Sequence, residues 1–107
     1  MSEKLTLDDL AAPLRAMRLL AVDYAGLPAP TVAVSVIYPD VLELRFHRSP
    51  ADFEVWREVL RIAPDSLVYD EYDGCVSMRA VTEYAGARVE LIGYADVPET
   101  VPVGAPL

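Results

Sequence analysis

The chain has 107 residues, enough for one domain with its own core but not for two. Its net charge of −8, from 17 acidic against 9 basic residues, argues against binding to nucleic-acid phosphates or to an anionic membrane. The apolar fraction of 53% argues against an intrinsically disordered chain and is compatible with an apolar contact surface.

The amino-terminal segment, the longest uncharged stretch and the cysteine content all indicate a cytoplasmic protein. Glu3 and Asp8 do not fit the basic and then apolar pattern of a secretory signal. The uncharged stretch, 24–39, is interrupted by glycine and proline and is too short to cross a membrane. The single cysteine, Cys75, cannot form an intramolecular disulfide, which fits a reducing compartment.

The first predicted element is a helix from about 7 to 24. Thr6 is an N-cap residue with Asp9 three positions later, and apolar residues then recur at helical spacing. Pro13 lies inside this pattern and lacks a backbone N–H, so the helix either kinks at Pro13 or begins there. Glycine and prolines at 26–30 end the helix and lead into an extended segment.

Alternating apolar residues on either side of Pro39 and Asp40 predict a β-hairpin. A three-residue loop, 39–41, brings the apolar residues of both strands onto one face, and this is the register we expect. Its cross-strand pairs are Tyr38 with Leu42, Val36 with Leu44 and Val34 with Phe46. A two-residue loop would instead set the two valines beside Arg45 and Glu43, as a stripe open to a partner.

A second helix is predicted from Ser49, an N-cap residue that precedes proline, to about 63–64. Asp52 lies in its first turn. The apolar stripe consists of Phe53, Trp56, Val59, Leu60 and Ala63. Charged residues such as Arg57 occupy the remaining surface, where we expect them to be solvated and to form only weak ion pairs.

Three strands are predicted in the carboxy-terminal part, at 67–72, 76–84 and 87–94, separated by turns at 73–74 and 85–86. The second of these turns fixes a register in which one face is apolar and the other is mixed. The apolar pairs are Thr82 with Val89, Ala80 with Leu91 and Met78 with Gly93. The mixed pairs are Glu83 with Arg88, Val81 with Glu90 and Arg79 with Ile92.

The order of elements, α-ββ-α-βββ, predicts an α+β fold. We expect an antiparallel sheet of about five strands with both helices on one face. The domain spans 1–97. Three prolines and few residues that could pack follow it, so 98–107 is expected to be an extended or disordered tail.

The sequence offers few residues for catalysis or metal binding. His47 is the only histidine, which excludes a histidine-based metal cluster, and we expect a structural or surface role for it. Cys75 and His47 are the only conceivable nucleophile and base, but no local signature supports that pair. Acidic residues near Cys75 disfavour the thiolate, so we expect an ordinary thiol.

Asp70, Glu71 and Asp73, ahead of Gly74, resemble a fragment of a calcium loop. They lack its alternating oxygen ligands and its terminal glutamate, so a solvated turn is expected. Phosphate-binding glycine loops and Ser-His-Asp arrangements are also absent from the sequence. We therefore expect no catalytic residue, no metal and no cofactor.

Tyrosine is the one compositional bias that points to a contact surface. The chain has six tyrosines against two phenylalanines, and a tyrosine offers a large apolar ring with a polar tip. Half-buried structural use is the more common role. The mixed face of the sheet supplies the residues that we expect to contact a protein, namely Tyr72, Arg79, Val81, Ile92 and Tyr94.

Several short motifs resemble those of small hypothetical proteins from Streptomyces-type actinobacteria and their phages and mobile elements. The motifs are Leu-Pro-Ala-Pro-Thr-Val at 27–32, Ile-Tyr-Pro-Asp at 37–40, Trp-Arg at 56–57, Tyr-Ala-Gly-Ala-Arg-Val at 84–89 and Gly-Tyr-Ala-Asp at 93–96. The resemblance covers most of residues 5–97. It implies a cytoplasmic, actinobacterial or phage-linked setting and no particular activity.

The sequence favours a non-enzymatic binding or accessory module that self-associates through the outer sheet face or a strand edge. Two alternatives from other classes remain. The first is an acidic mimic of nucleic acid that acts on a basic DNA-processing protein, which requires the acids to cluster on one face. The second is a small enzyme with tyrosine, aspartate or arginine in a pocket between sheet and helices.

Overall fold

The computed structural model describes residues 4–47, 49–72 and 74–96. In these ranges the helices are α1 (Ala11–Asp23) and α2 (Pro50–Val59), and the strands are β1 (Thr31–Val34), β2 (Val41–His47), β3 (Val68–Tyr72), β4 (Cys75–Tyr84) and β5 (Ala87–Asp96). Short 3-10 turns lie at Leu7–Leu10 and Pro64–Ser66. The predicted α+β class and element order are confirmed. The predicted domain limit at 97 and the tail at 98–107 lie outside the described residues.

The five strands form one mixed sheet in the order β1-β2-β5-β4-β3. Strands β2 and β5 are parallel, and the other neighbours are antiparallel. The prediction of a fully antiparallel sheet is therefore wrong. After β2 the chain crosses by way of α2 to the far edge, and the meander β3-β4-β5 then returns to the centre, where β5 runs in the same direction as β2.

The register predicted for the first hairpin is also wrong. The observed pairs are Thr31 with Arg45, Val32 with Leu44, Ala33 with Glu43 and Val34 with Leu42. The connection is a six-residue loop, 35–40, in which the Ser35 hydroxyl accepts a hydrogen bond from the N–H of Ile37 at 3.0 Å. This local bond competes with the strand ladder and ends β1 early. Compared with the predicted register, β1 is shifted along β2 by an even number of residues. Because side chains alternate between the two faces, the valines of β1 still lie on the predicted face.

The register predicted for the β4–β5 hairpin is confirmed at all six pairs. Its two-residue turn places Ala85 and Gly86 at φ values of 52° and 85°. Positive φ at both central positions is the geometry that matches the twist of two antiparallel strands. The turn therefore fixes which residues of β4 and β5 share a face.

Helix α1 follows a 3-10 turn that is capped by Thr6 and Asp9, since the backbone N–H of Thr6 donates to Asp9 Oδ2 at 2.8 Å. Pro13 is the third residue of α1, where a missing N–H breaks no helical hydrogen bond. The helix thus begins before Pro13. Neither helix in the described ranges combines the length and the apolar character that spanning a bilayer requires.

Helix α2 ends at Val59, four residues before the predicted end. Arg61 adopts a left-handed conformation with φ of 60°, which turns the chain out of the helix. Arg57 is buried and donates from Nη1 to the carbonyl oxygen of Ile62 at 2.6 Å, while Nε and Nη2 donate to Glu54. The expectation that Arg57 is solvated is wrong, because its side chain is buried and bonds the segment that follows the helix.

Both helices pack on the same face of the sheet, which we call the helix face. Phe53 of α2 lies edge-on to Phe46 of β2, with ring centroids 6.2 Å apart. Directly after α1, the ring centroid of Tyr24 lies 6.5 Å from that of Tyr84 of β4. The buried core around these contacts includes Ala16, Leu20, Leu42, Leu44, Trp56, Ala80, Val89 and Leu91. Burying these side chains is the main stabilising contribution to the fold.

Gly93 makes this packing possible at the centre of the sheet. A Cβ atom at this position would lie 2.9 Å from Cδ2 of Phe53 and 3.0 Å from Cε of Met78. Because both distances are shorter than a normal carbon contact, the phenylalanine ring can rest on β5 only where the strand carries no side chain.

Candidate binding surfaces

The second face of the sheet, which we call the open face, has no helix over it in the described part of the chain. Its central residues are Glu43, Arg45, Arg79, Val81, Arg88, Glu90, Ile92 and Tyr94. Four of the five predicted contact residues, Arg79, Val81, Ile92 and Tyr94, lie together on it. Tyr72, the fifth, ends β3 and pairs through its backbone with Cys75, and only its backbone is described.

The predicted contact residues differ in how much of their surface remains available. Ile92 is only 4% exposed, and its direct partners on the two neighbouring strands are Arg45 and Arg79. Tyr94 stacks on His47 of β2, with ring centroids 5.1 Å apart and an interplanar angle of 7°. Val81 stays exposed. The open face therefore offers a partner mainly charged and aromatic atoms, and little aliphatic surface.

Ion pairs organise the middle of the open face. Glu90, whose side chain is 10% exposed, contacts Nη1 of Arg79 at 3.4 Å and Nε of Arg88 at 2.9 Å. On the neighbouring strand, Arg45 donates to Glu43 Oε1 at 2.6 Å and 3.1 Å. This hydrogen bond is the main reason that the pKa of Arg45 is raised. Glu43 and Glu90 are direct partners across the parallel β2–β5 pair.

An open depression of about 530 Å³ lies over these ion pairs. It is lined by Tyr38, Val41, Glu43, Arg79, Arg88 and Glu90. Tyr38 reaches it from the loop between β1 and β2, where the incorrect hairpin register would have placed it in a strand. The sequence predicted Arg79 as a contact residue and the pairing of Glu90 with β4. It did not predict that β2 and the 35–40 loop also line this depression.

The two edges of the sheet differ in charge. Strand β3 carries two exposed acidic residues, Asp70 and Glu71. Strand β1 has no charged residue and lies within the uncharged stretch 24–39, and its Val32 is 44% exposed. Unprotected edge strands are sites where another strand can pair, and charged side chains are a common means of preventing it. Among the described residues, β1 is the edge strand that lacks this charged protection.

An apolar groove of about 220 Å³ lies next to β1, on the helix face. Its walls come from the end of α1, the 27–30 segment, Val32 and Trp56. The indole N–H of Trp56 donates to the carbonyl oxygen of Pro28 at 2.8 Å, which holds the 27–30 segment against α2. The groove and the edge strand therefore form one continuous uncharged surface.

Cys75 and His47 do not form a catalytic pair. Strand β5 lies between β2 and β4, and Cys75 is offset by two residues along β4 from the position level with His47, so the two backbones are more than two strand spacings, about 10 Å, apart. Cys75 is half-buried and His47 is exposed. Of the acidic residues near Cys75, Asp73 lies outside the described residues. Within 4–47, 49–72 and 74–96, no group of three residues among His, Cys, Asp and Glu is placed to hold a metal ion.

No family model, curated protein or solved structure matches the chain.

Proposed function

We propose that this chain is a protein-binding module that pairs with a second copy of itself through edge strand β1. The two five-stranded sheets then join into one sheet of ten strands. The observation that carries this proposal is the exposed, uncharged edge of β1 in a chain whose net charge is −8. Strand addition uses backbone hydrogen bonds for affinity and alternate side chains for specificity.

The alternation of β1 selects one symmetry for the pair. Val32 and Val34 point to the helix face, since they pair with the buried Leu44 and Leu42. A two-fold axis perpendicular to the sheet keeps this face common to both copies. When the axis passes through Ala33, Val32 of one copy lies opposite Val34 of the other, and apolar side chains meet across the junction.

The segments on either side of β1 enlarge the contact. Before the strand, the apolar groove around Trp56 continues the surface on the helix face. After it, Val36 and Ile37 are both exposed. A four-residue strand provides few backbone hydrogen bonds, so these apolar residues supply most of the additional buried area.

The open face suits this role less well than the β1 edge. Covering it would remove Arg45, Arg79 and Arg88 from water together with the glutamates that they contact, and desolvating ion pairs offsets most of their attraction. The same interleaving of arginine and glutamate gives little support to a mimic of nucleic acid, which needs a continuous acidic surface.

The test is the molar mass in solution over a range of protein concentrations, measured by sedimentation equilibrium. The unmodified chain should shift from monomer to dimer. Val32→Lys should raise the dimer Kd at least about tenfold, because pairing would bury two ammonium groups. Tyr69→Lys is the matched control, since Tyr69 is an exposed residue of the other edge strand and should leave the dimer Kd unchanged.

Two results would overturn the proposal. One is a monomeric mass at every concentration of the unmodified chain. The other is a Val32→Lys variant that dimerises as strongly as the unmodified chain, which would place the contact elsewhere.

A further inference from the structure

The depression on the open face contains two arginines, and other described residues contact only some of their N–H donors. Glu90 contacts Nη1 of Arg79 and Nε of Arg88, and no other described residue accepts a hydrogen bond from either guanidinium. A guanidinium has five N–H donors. Most donors of Arg79 and Arg88 therefore have no acceptor among the described residues.

Glu90 holds the two guanidinium groups near one another. Its side chain is 10% exposed, whereas those of Arg79 and Arg88 are 52% and 55% exposed. One nearly buried carboxylate thus positions two arginines that stay open to solvent. Two positioned guanidinium groups with N–H donors that lack an acceptor among the described residues are suited to bind an oxyanion through paired hydrogen bonds.

We propose that the depression binds a small organic carboxylate, with its anionic group between Arg79 and Arg88 and an apolar body against Tyr38 and Val41. The volume of about 530 Å³ fits a small molecule. This proposal does not depend on the pairing of β1, since the depression lies on the open face and β1 pairs along its edge.

The charge of the chain favours a carboxylate over a phosphate. A net charge of −8 repels any anion, and the repulsion grows with the charge of the ligand. A carboxylate carries one negative charge at neutral pH, whereas inorganic phosphate carries between one and two. The apolar part of the lining adds a contact that inorganic phosphate cannot make.

The probe is benzoate, titrated into the isotopically labelled chain and followed by NMR. We expect saturable shifts of the Arg79 and Arg88 side-chain Nε–H signals, with a Kd of about 1 mM for a small ligand in an open site. Arg79→Gln and Arg88→Gln should each weaken binding at least about tenfold. Benzamide, which has the same ring without the charge, and inorganic phosphate should both bind more weakly.

Arg18→Gln is the matched control. Arg18 is an exposed residue of α1, away from the open face, and its replacement changes the net charge by the same amount as either test variant. Benzoate should bind the Arg18→Gln variant as it binds the unmodified chain. Equal weakening of benzoate binding in all three variants would show that the effect comes from the overall charge of the chain, and it would refute the site.

Three further results would also overturn the proposal. They are the absence of saturable shifts with benzoate, binding of benzamide as tight as that of benzoate, and tighter binding of phosphate than of benzoate. Because the arginine replacements are made at half-exposed positions, the dispersion of the backbone amide signals verifies that each variant is folded.

Discussion

Tyr84 of β4 donates a hydrogen bond from its hydroxyl to Asp23 Oδ2, 2.6 Å away at the end of α1. This contact joins residues separated by 61 positions in the sequence and fixes the last turn of α1 over the sheet. Together with the tilted contact between Tyr24 and Tyr84, it holds α1 near the turn between β4 and β5.

The hydrogen bond to Asp23 is the main cause that raises the pKa of Tyr84 to about 12. Because folding raises this pKa, the contact stabilises the fold fully below about pH 10, the ordinary tyrosine pKa, and that contribution is lost as pH rises to about 12. Subtracting the tyrosinate absorbance titration of Tyr84→Phe from that of the unmodified chain isolates this group. Asp23→Asn should move its midpoint back towards 10, and an unchanged midpoint would exclude the contact as the cause.

Gly93→Ala should destabilise the fold by about 1–3 kcal/mol, because the new methyl group would overlap the Phe53 ring and force the core to shift. Urea denaturation measures the change as a lower midpoint with the same slope. Gly26→Ala is the control, since nothing lies within 4 Å of the added atom, and it should change stability by less than about 0.5 kcal/mol. Similar effects of the two substitutions would contradict the packing described for Gly93.

Arg57→Ala should cost about 1.5–3 kcal/mol, the range for hydrogen bonds that involve a charged group, because the Ile62 carbonyl oxygen and Glu54 both lose a donor. Arg61→Ala, four residues later and exposed, should cost less than about 0.5 kcal/mol. Thermal unfolding of the two variants side by side provides the comparison.

The effect of Arg57→Ala should also depend on pH. The hydrogen bond from Arg57 lowers the pKa of Glu54 below its ordinary value of 4.5. This part of the stability is therefore present above pH 4.5 and is lost as pH falls through the lowered pKa. The difference between the variant and the unmodified chain should narrow on acidification, and a difference that widened would contradict this assignment.

Trp56→Phe should destabilise the fold by about 1–2 kcal/mol, because it removes the hydrogen bond to Pro28 and part of the ring that packs against Phe46. It should also weaken the proposed β1 dimer, since it frees the 27–30 segment that leads into that strand. Equilibrium denaturation and sedimentation of the same preparation separate the two effects. A variant with unchanged stability would show that the hydrogen bond has little weight.

The sequence was sufficient to predict pairing wherever a tight turn left no freedom. The Ala85-Gly86 turn has only two residues, so the register of β4 and β5 followed from it. The sequence around 35–40 is compatible with loops of several lengths. The alternation of valines therefore predicts which face of the sheet they occupy, but not which residues of β2 they pair with. In the structure the Ser35 hydroxyl accepts a hydrogen bond from the N–H of Ile37, and β1 ends at Val34.

The parallel pairing of β2 with β5 gave no sequence signal. Parallel strands are usually covered on both faces and appear as continuous apolar runs. Here one face is open, so Glu43 and Arg45 alternate with buried leucines as they would in an antiparallel strand. The predicted mixed pairs of β4 and β5 identified one part of the depression. The part formed by Glu43 and Tyr38 could not be predicted, because it depends on the tertiary arrangement.

The contrast between the two sheet edges limits the size of the proposed assembly. Joining two copies through β1 would pair the uncharged edge of each copy and leave the two β3 strands at the outer ends. Asp70 and Glu71 on each of these ends repel an approaching identical strand. In the proposed assembly, growth would therefore stop at a closed pair, and strand pairing would be confined to a single junction instead of propagating into fibrils.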